Sequence, residues 1–548
     1  MPEKLEELIH NRISRRKMLK GAALLTAGAI FPFRFFETFL PVERNKSDIF
    51  FEPVKPSLAD ELILPKGYNY DIIRKWGDKI SDTEYFGYNN DFVKFIPFKN
   101  SDGITNINDG IMFVNHEYPN PLFVSGYTHE DHKAGLRKTE DQILAEKRSV
   151  GVSIFRIKNN NGKWEFANDS RYNRRIDALS NIKLSGKAAG TKEVMFANEC
   201  AGTVGNCSGG VSPWGTVLSG EENFQDYADE NVYRWNDSSN KIIEEHYGWM
   251  VEIDPFDKNS VPKKRTSLGR FRHENISFVI AKDTRVVAYM GDDKEDECVY
   301  KFISSETFDL QNPSSNMDIL DKGDLYAADF ENNRWILLDI EKNEKLRREF
   351  SSQAELLVNC DKATKAAGAT PCNRCEDNEI SPLDQSVYIA FTNNKPKNDY
   401  HGSIVRLIEK NNDHASSEFT WEVFASGGVD AGFSCPDNLY FDSKANLWVL
   451  SDMSTSSIKK GVYEPFKNNS LFMIPTSGSN KGKAFRFAAG PVDTEMCGMC
   501  FSPDESTMFL SVQHPGEGSG SINNPTSRWP DFGSEHPKPA VVAITGFK

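Results

Sequence analysis

The chain has 548 residues, a net charge of −14 and 39% hydrophobic residues. That acidic balance excludes the basic footprint on which nucleic-acid binding depends. It is compatible with a site that gathers cations, although acidity is common among soluble proteins. The length allows one large core or several domains, and all-β architectures run long as single units.

The first informative segment is Ser14-Arg15-Arg16-Lys17-Met18-Leu19-Lys20. It resembles the twin-arginine export signal, with Met18 where that signal prefers phenylalanine. An apolar stretch follows at residues 21–33, too short to span a bilayer comfortably, which takes about 20 residues. The resemblance implies passage through the twin-arginine translocase to the periplasm or outside. No A-x-A cleavage pattern follows, so cleavage near residue 40 and retention as a membrane anchor both stay open. Twin-arginine export carries folded proteins, often with metals already loaded, which points to a cofactor inserted in the cytoplasm.

From about residue 47 the chain lacks long helical periodicity and shows short apolar runs bounded by Gly, Asn, Asp and Pro. Four segments, beginning at Asn275, Ile380, Leu439 and Cys500, each read as a strand, a turn with Asp or Ser, and a second strand. This is the hairpin that recurs once per blade in a propeller; a β-sandwich with chance hairpin similarity is the rival. Residues 138–147 and 351–367 read as helices inserted between strands. Long insertions on such a fold are expected over the central channel, where they carry function.

The richest motif runs from Gly205 to Asn223. Cys207 lies between Asn206 and Ser208-Gly209-Gly210, a glycine-rich turn through which backbone can approach a ligand closely. The next strand ends in Glu221-Glu222, and paired carboxylates repel unless a cation or Arg offsets them. Further strings are Asn115-His116-Glu117-Tyr118, Gly269-Arg270-Phe271-Arg272-His273-Glu274, Met290-Gly291-Asp292-Asp293, Asn373-Arg374-Cys375-Glu376-Asp377, Phe391-Thr392-Asn393-Asn394, Cys435-Pro436-Asp437-Asn438 and Gln513-His514-Pro515-Gly516. Taken singly, each has an ordinary explanation: an acidic turn, a buried thiol, a surface charge, a core histidine.

Taken in order, these strings resemble the PhoX alkaline phosphatase family, from about residue 115 to 530. The resemblance implies a six-bladed β-propeller with inserted helices and long loops over its channel. It divides the chain into a leader and linker at 1–45 and a propeller phosphatase at 46–548. It implies a cluster of ferric iron and calcium that hydrolyses small phosphomonoesters, with a metal-bound oxygen rather than a serine as nucleophile. The family's iron-bound cysteine matches Cys207, and its glutamates match Glu274 and Glu376. Arg374 matches the arginine that faces phosphate. Glu117, Glu221, Glu222, Asp292 and Asp437 fall in family motifs as iron or calcium ligands. Cys375 departs from the proline common between Arg374 and Glu376, and Ser219-Gly220 from the usual Thr-Cys. A monomer is the family default. His273 and His514 are read as structural.

The ligand types suit that chemistry. Carboxylate oxygens are hard donors for ferric iron and calcium, and one thiolate adds a soft donor. The nine cysteines include Cys372/Cys375 and Cys497/Cys500, spaced like zinc ligands but with the pairs far apart in the chain. Some could pair in an oxidising compartment, with Cys207 the expected unpaired thiol. Two other functions compete: a calcium-dependent propeller lactonase or esterase, which has no need of Cys207 or Arg374, and a non-catalytic binding propeller.

Overall fold

A computed structural model describes residues 4–13, 49–100, 103–236 and 241–547. The expected export motif and apolar stretch, and the expected boundary near residue 45, lie outside them. Six sheets, antiparallel except for one parallel pair, follow one another as the blades of a propeller. Their innermost strands are, in chain order, Asn90–Lys99, Asn206–Val211, His273–Ile280, Cys375–Ile380, Pro436–Phe441 and Glu495–Phe501. Each pairs with the strand that follows it: Thr105–His116, Val217–Glu221, Arg285–Asp292, Val387–Phe391, Asn446–Ser451 and Thr507–Gln513. The four hairpins read from sequence are the inner hairpins of blades 3 to 6.

The ring closes through chain ends. Strand Asn69–Lys75 pairs with Ala540–Thr545, so blade 6 is built from both ends of the described propeller. Pairing the ends hydrogen-bonds two edges that would otherwise stay open. Blade 2 is the widest, six strands, because Asn181–Ser185 adds in parallel to Lys263–Arg265.

The helices form where side chains cap them. Thr139 and Gln142 make a capping box for Glu140–Ser149, and Ser352 accepts from Glu355 N at the start of Gln353–Val358. The second insertion is therefore two helices, with Cys360–Ala367 following. The second insertion packs behind the loops at the channel mouth. Arg270 N donates to Leu357 O, and Lys365 bonds Glu297. No helix among the described residues is long and apolar enough to cross a membrane.

Asn206–Val211 is a strand rather than a turn, which changes the reason for its glycines. A Cβ on Gly210 would overlap the Ile276 carbonyl oxygen of blade 3, and one on Gly220 would overlap the carbonyls of His273 and Glu274. These glycines let blades 2 and 3 approach closely. Residues 5–13 form a helix that docks on blades 3 and 4. Leu5 and Ile9 enter their core, Glu6 pairs with Lys397 at 3.0 Å, and the Arg12 guanidinium lies 3.8 Å from the Trp421 ring centroid. Leu5 N also bonds Pro371 O, so the helix holds the segments leading to Arg374 and following Lys395.

Two outcomes follow. Gly210→Ala is expected to lower stability by about 1–3 kcal/mol, the cost of overpacking, read as a lower denaturant midpoint at unchanged slope. Leu5→Asp is expected to raise amide exchange over residues 371–374 and 394–399 while leaving blade 6 protected. Unchanged exchange there would show that the helix does not brace these segments.

Candidate metal centre

All six inner strands start at the same mouth of the channel, and their partners return to it. The second residues of the first five inner strands are Asp91, Cys207, Glu274, Glu376 and Asp437; the sixth begins with Glu495. The returning strands are followed directly by Glu117, Glu222, Asp293, Asp452 and His514, and in blade 4, two residues on, by Asn393. In every blade a register shift interrupts the inner hairpin near this mouth. Such a bulge twists the strand and re-aims its side chains. The residue before the inner strand is left-handed in four blades: Asn89 (φ 44°), Gly205 (65°), Arg374 (51°) and Cys435 (50°). Local strain of this kind is retained where the surroundings enforce it.

Buried asparagines fix the inner strands against one another. Asn115 Nδ2 donates to Cys207 O at 2.8 Å and Ser208 O at 2.9 Å. Asn378 N donates to Asn275 Oδ1 at 3.0 Å, and Gly498 N to Asn438 Oδ1 at 2.8 Å. The pocket thus framed has a volume of about 430 Å³ and is lined by ten carboxylates, one thiol and four cations.

Cys207 is at its centre. Its Sγ lies 3.1 and 3.0 Å from the two Glu274 oxygens and 3.5 Å from Asp91 Oδ2. Three sets of donor atoms lie close enough to share an ion: Asp91, Glu117 and Cys207; Cys207, Glu222 and Glu274; Glu274, Glu376 and Asp437. Gln513 Nε2 bridges Asp91 Oδ2 at 3.2 Å and Glu117 Oε2 at 2.8 Å. Asp91 Oδ1 is buried with no hydrogen-bond partner. Arg374 grips Asp293 with Nε at 3.0 Å and Nη2 at 2.9 Å, and Nη2 also reaches Glu376 at 2.6 Å.

Burial, reinforced by mutual repulsion, pushes the Asp91 carboxyl up to about 7 and that of Glu117 up to about 8. It drives Glu222, Glu274, Glu376, Asp437 and Glu495 well above the carboxylate range, and the Cys207 thiol well above its own. Burial works against the Arg374 charge, but Asp293, Glu376 and Asp452 raise its pKa well above the usual value. Many hard oxygens, one thiol and an unpaired buried oxygen fit a set of bound cations, which would restore the acids to their charged forms.

Of the residues expected from sequence, the fold brings together Cys207, Glu117, Glu222, Glu274, Arg374, Glu376 and Asp437. It leaves Glu221 and Asp292 outside the pocket. The Glu221 carboxylate is 2.8 Å from Lys264 Nζ and accepts from Gly248 N, Trp249 N and Thr203 Oγ1; its side chain and that of Lys264 are fully buried. Adjacent strand residues point to opposite sides, so Glu222 and Asp293 face the pocket and their predecessors do not. Sequence reasoning missed Asp91, Asp293, Glu295, Asp452, Glu495, Arg272, Lys294 and Lys395. Aligning the hairpins blade by blade exposes four of them, because the same two positions recur in each.

His273 bonds Gly269 O at 2.9 Å, and burial lowers its pKa to about 3, so it stays neutral. All nine cysteines are buried and unpaired. Cys375 packs in the core of blades 3 and 4, whereas Cys497 Sγ lies 3.2 Å from Glu495 Oε1 and 3.2 Å from Gln513 Oε1.

A sequence model of the alkaline phosphatase PhoX family matches residues 49–516. The chain belongs to the PhoX alkaline phosphatase family. It is a phosphatase. Pseudomonas fluorescens PhoX, solved in complex with vanadate, a transition state analogue, is 30% identical, with 90% of this chain and 97% of that chain covered and a TM-score of 0.81. A protein of unknown function from Dyadobacter fermentans is 8% identical, covering 88% of this chain and 100% of that one, with a TM-score of 0.38. The gluconolactonase XC5397 from Xanthomonas campestris is 9% identical, covering 63% and 71%, with a TM-score of 0.27. Likenesses at the level of these last two bear on neither activity nor site. No curated protein sequence matches the chain.

The charge crowding in the phosphatase predicts a stability profile. With cations chelated, Asp91 and Glu117 hold protons in the folded chain to about pH 7 and 8, but in the unfolded chain only to about 4. The folded state then binds more protons, so its stability is full below about pH 4 and falls as pH rises toward 8. Thermal unfolding of chelator-treated protein should show Tm decreasing between about pH 5 and 8, and excess calcium should flatten the slope. A Tm that rises with pH would contradict this account.

Proposed function

We propose that this phosphatase releases inorganic phosphate from small phosphomonoesters after export, with ferric iron and calcium at the channel mouth. Cys207, Glu274 and the adjoining carboxylates would hold iron; the remaining oxygens of Glu117, Glu222, Glu376 and Asp437, with Asp91, Asp452 and Glu495, would hold calcium. The observation that carries the reading is Cys207 Sγ at 3.0–3.1 Å from both oxygens of Glu274 inside a buried carboxylate ring. A thiol there adds a soft donor to hard ones, the combination that suits iron beside calcium. When bound, the cations would neutralise the ester's oxygens and supply Lewis acidity to the attacking and leaving oxygens.

The chain's own residues orient the substrate. Asp293 takes Nε and Nη2 of Arg374, which fixes the guanidinium plane and would leave Nη1 for a phosphate oxygen. No serine lines the pocket among the described residues, in keeping with a nucleophile that is not a side chain. Glu117 is held by Gln513 and by the Tyr227 hydroxyl on its carbonyl, so the acidic wall keeps its shape while substrate enters. Export would run through the twin-arginine translocase by way of residues 14–20, placing the enzyme, as a monomer, in the periplasm or outside, free or anchored.

Elemental analysis alongside p-nitrophenyl phosphate hydrolysis tests this reading. The purified enzyme should contain iron and calcium, and Cys207→Ala should lose iron and activity together. Arg374→Ala should lower kcat/KM by about a hundredfold or more, as for loss of a group that stabilises transition-state charge. Vanadate should inhibit competitively. Full activity in Cys207→Ala would remove the iron–thiolate assignment.

A further inference from the structure

Charge is unevenly arranged around the pocket. Its four cations, Arg272, Lys294, Arg374 and Lys395, all come from blades 3 and 4, where they stand among Glu274, Asp293, Glu295 and Glu376, whereas blades 1, 2, 5 and 6 supply the other six carboxylates and no cation. Hydrogen bonds tie the basic sector together. Asp293 N donates to Arg272 O at 3.1 Å, and Arg374 grips Asp293. Asn394, beside Lys395, donates through its amide to Asn373 Oδ1 at 3.1 Å and to Asp296 Oδ1 at 3.2 Å. The segments bearing all four cations therefore form one rim.

The four are not equally engaged. Arg374 is committed to Asp293 and Glu376, with Asp452 at 3.5 Å. The Arg272 guanidinium, by contrast, makes no hydrogen bond or close ion pair among the described residues; it acts on the Glu222, Asp226 and Asp292 carboxylates only through longer-range attraction. Lys395 Nζ reaches a neutral partner, Ser457 Oγ, at 3.0 Å. The carboxylate nearest to Lys294 is Glu297 at 3.8 Å, and the lysine is half exposed. Cations present only to neutralise the acid cluster would be in close pairs with it, as Arg374 is. These three are held at the rim and retain their attraction for an incoming anion. The cavity's volume of about 430 Å³ far exceeds a phosphoryl group and leaves room for a leaving group beneath them.

We infer that Arg272, Lys294 and Lys395 form a second anion subsite, which selects phosphate esters whose leaving group carries another anionic group, such as sugar bisphosphates. The inference rests on the phosphomonoesterase reading and adds the substrate class. One phosphate is placed at the acidic centre with Arg374, and the other is taken by the three rim cations. The contact is made before and during reaction alike, so it acts on KM more than on kcat.

The test compares kcat/KM of the metal-loaded full chain for fructose 1,6-bisphosphate and fructose 6-phosphate, with p-nitrophenyl phosphate as reference. The bisphosphate should be preferred about tenfold or more at low ionic strength, with the preference shrinking as salt rises. Lys294→Gln/Lys395→Gln should abolish the preference through KM, and Lys294→Arg/Lys395→Arg should keep it. If the glutamine pair fails to fold or load metal, Arg272→Gln with Arg272→Lys as its conservative counterpart makes the same comparison. A wild type without the preference, or a preference that survives both neutral variants, overturns the subsite and leaves the phosphatase reading intact. A metal-loaded wild type inert on all three esters overturns that reading and the subsite with it.

Discussion

The rest of the molecule depends on one electrostatic constraint: ten carboxylates and a thiol share a pocket with four cations. Buried like charges at this density shift their own pKa values upward until they lose charge, unless positive charge is supplied from outside. Burial alone would make such a cluster a liability, and the chain accepts it because the propeller gives it no alternative geometry. Six strands converge on one axis, each delivering one acidic or thiol residue at nearly the same height. The cluster is a product of ring symmetry as much as of any single motif.

The bulge at the mouth of every inner hairpin turns that symmetry into a site. A regular strand would alternate its side chains and send every second one into the blade core. The register shift and the left-handed residues before the inner strands instead aim Asp91, Cys207, Glu376 and Asp437 at the axis. Conserving this arrangement around the ring demands close blade contacts, which explains Gly210 and Gly220 at the junction of blades 2 and 3. It also demands buried amides such as Asn115, Asn275 and Asn438, which bond backbone across blades and carry no chemistry of their own.

Arg374 shows how binding and structure share a residue. Asp293 fixes its plane, and Glu376 ties it to the acidic ring. Its freedom is limited to one nitrogen, which makes it a precise contact and a poor general neutraliser. The charge left over on the rim is therefore carried by Arg272, Lys294 and Lys395, on segments braced from behind by residues 5–13 and by the helix at Cys360–Ala367. The same sector thus joins the docked amino-terminal helix, the arginine held by Asp293 and Glu376, and the rim cations.

The sequence by itself determined an all-β class and, through its ordered strings, seven of the residues that line the pocket. Short apolar runs between turn residues specify hairpins, and their recurrence specifies blades. The ordered strings, through the family they resemble, pointed to Cys207, Glu274, Arg374 and Glu376, and the fold lines one pocket with all four. Tertiary structure decided the rest. Glu221 and Glu222 are identical in composition and adjacent, yet one pairs with Lys264 in the blade and the other faces the pocket; strand alternation and a bulge make that choice, and neither is written in the residue type. Asp293 replaces Asp292 for the same reason. Asp91 and Glu495 carry no motif of their own; their strand positions mark them once the blades are aligned, and only the packed ring sets Asp91 against Cys207 and both in one pocket.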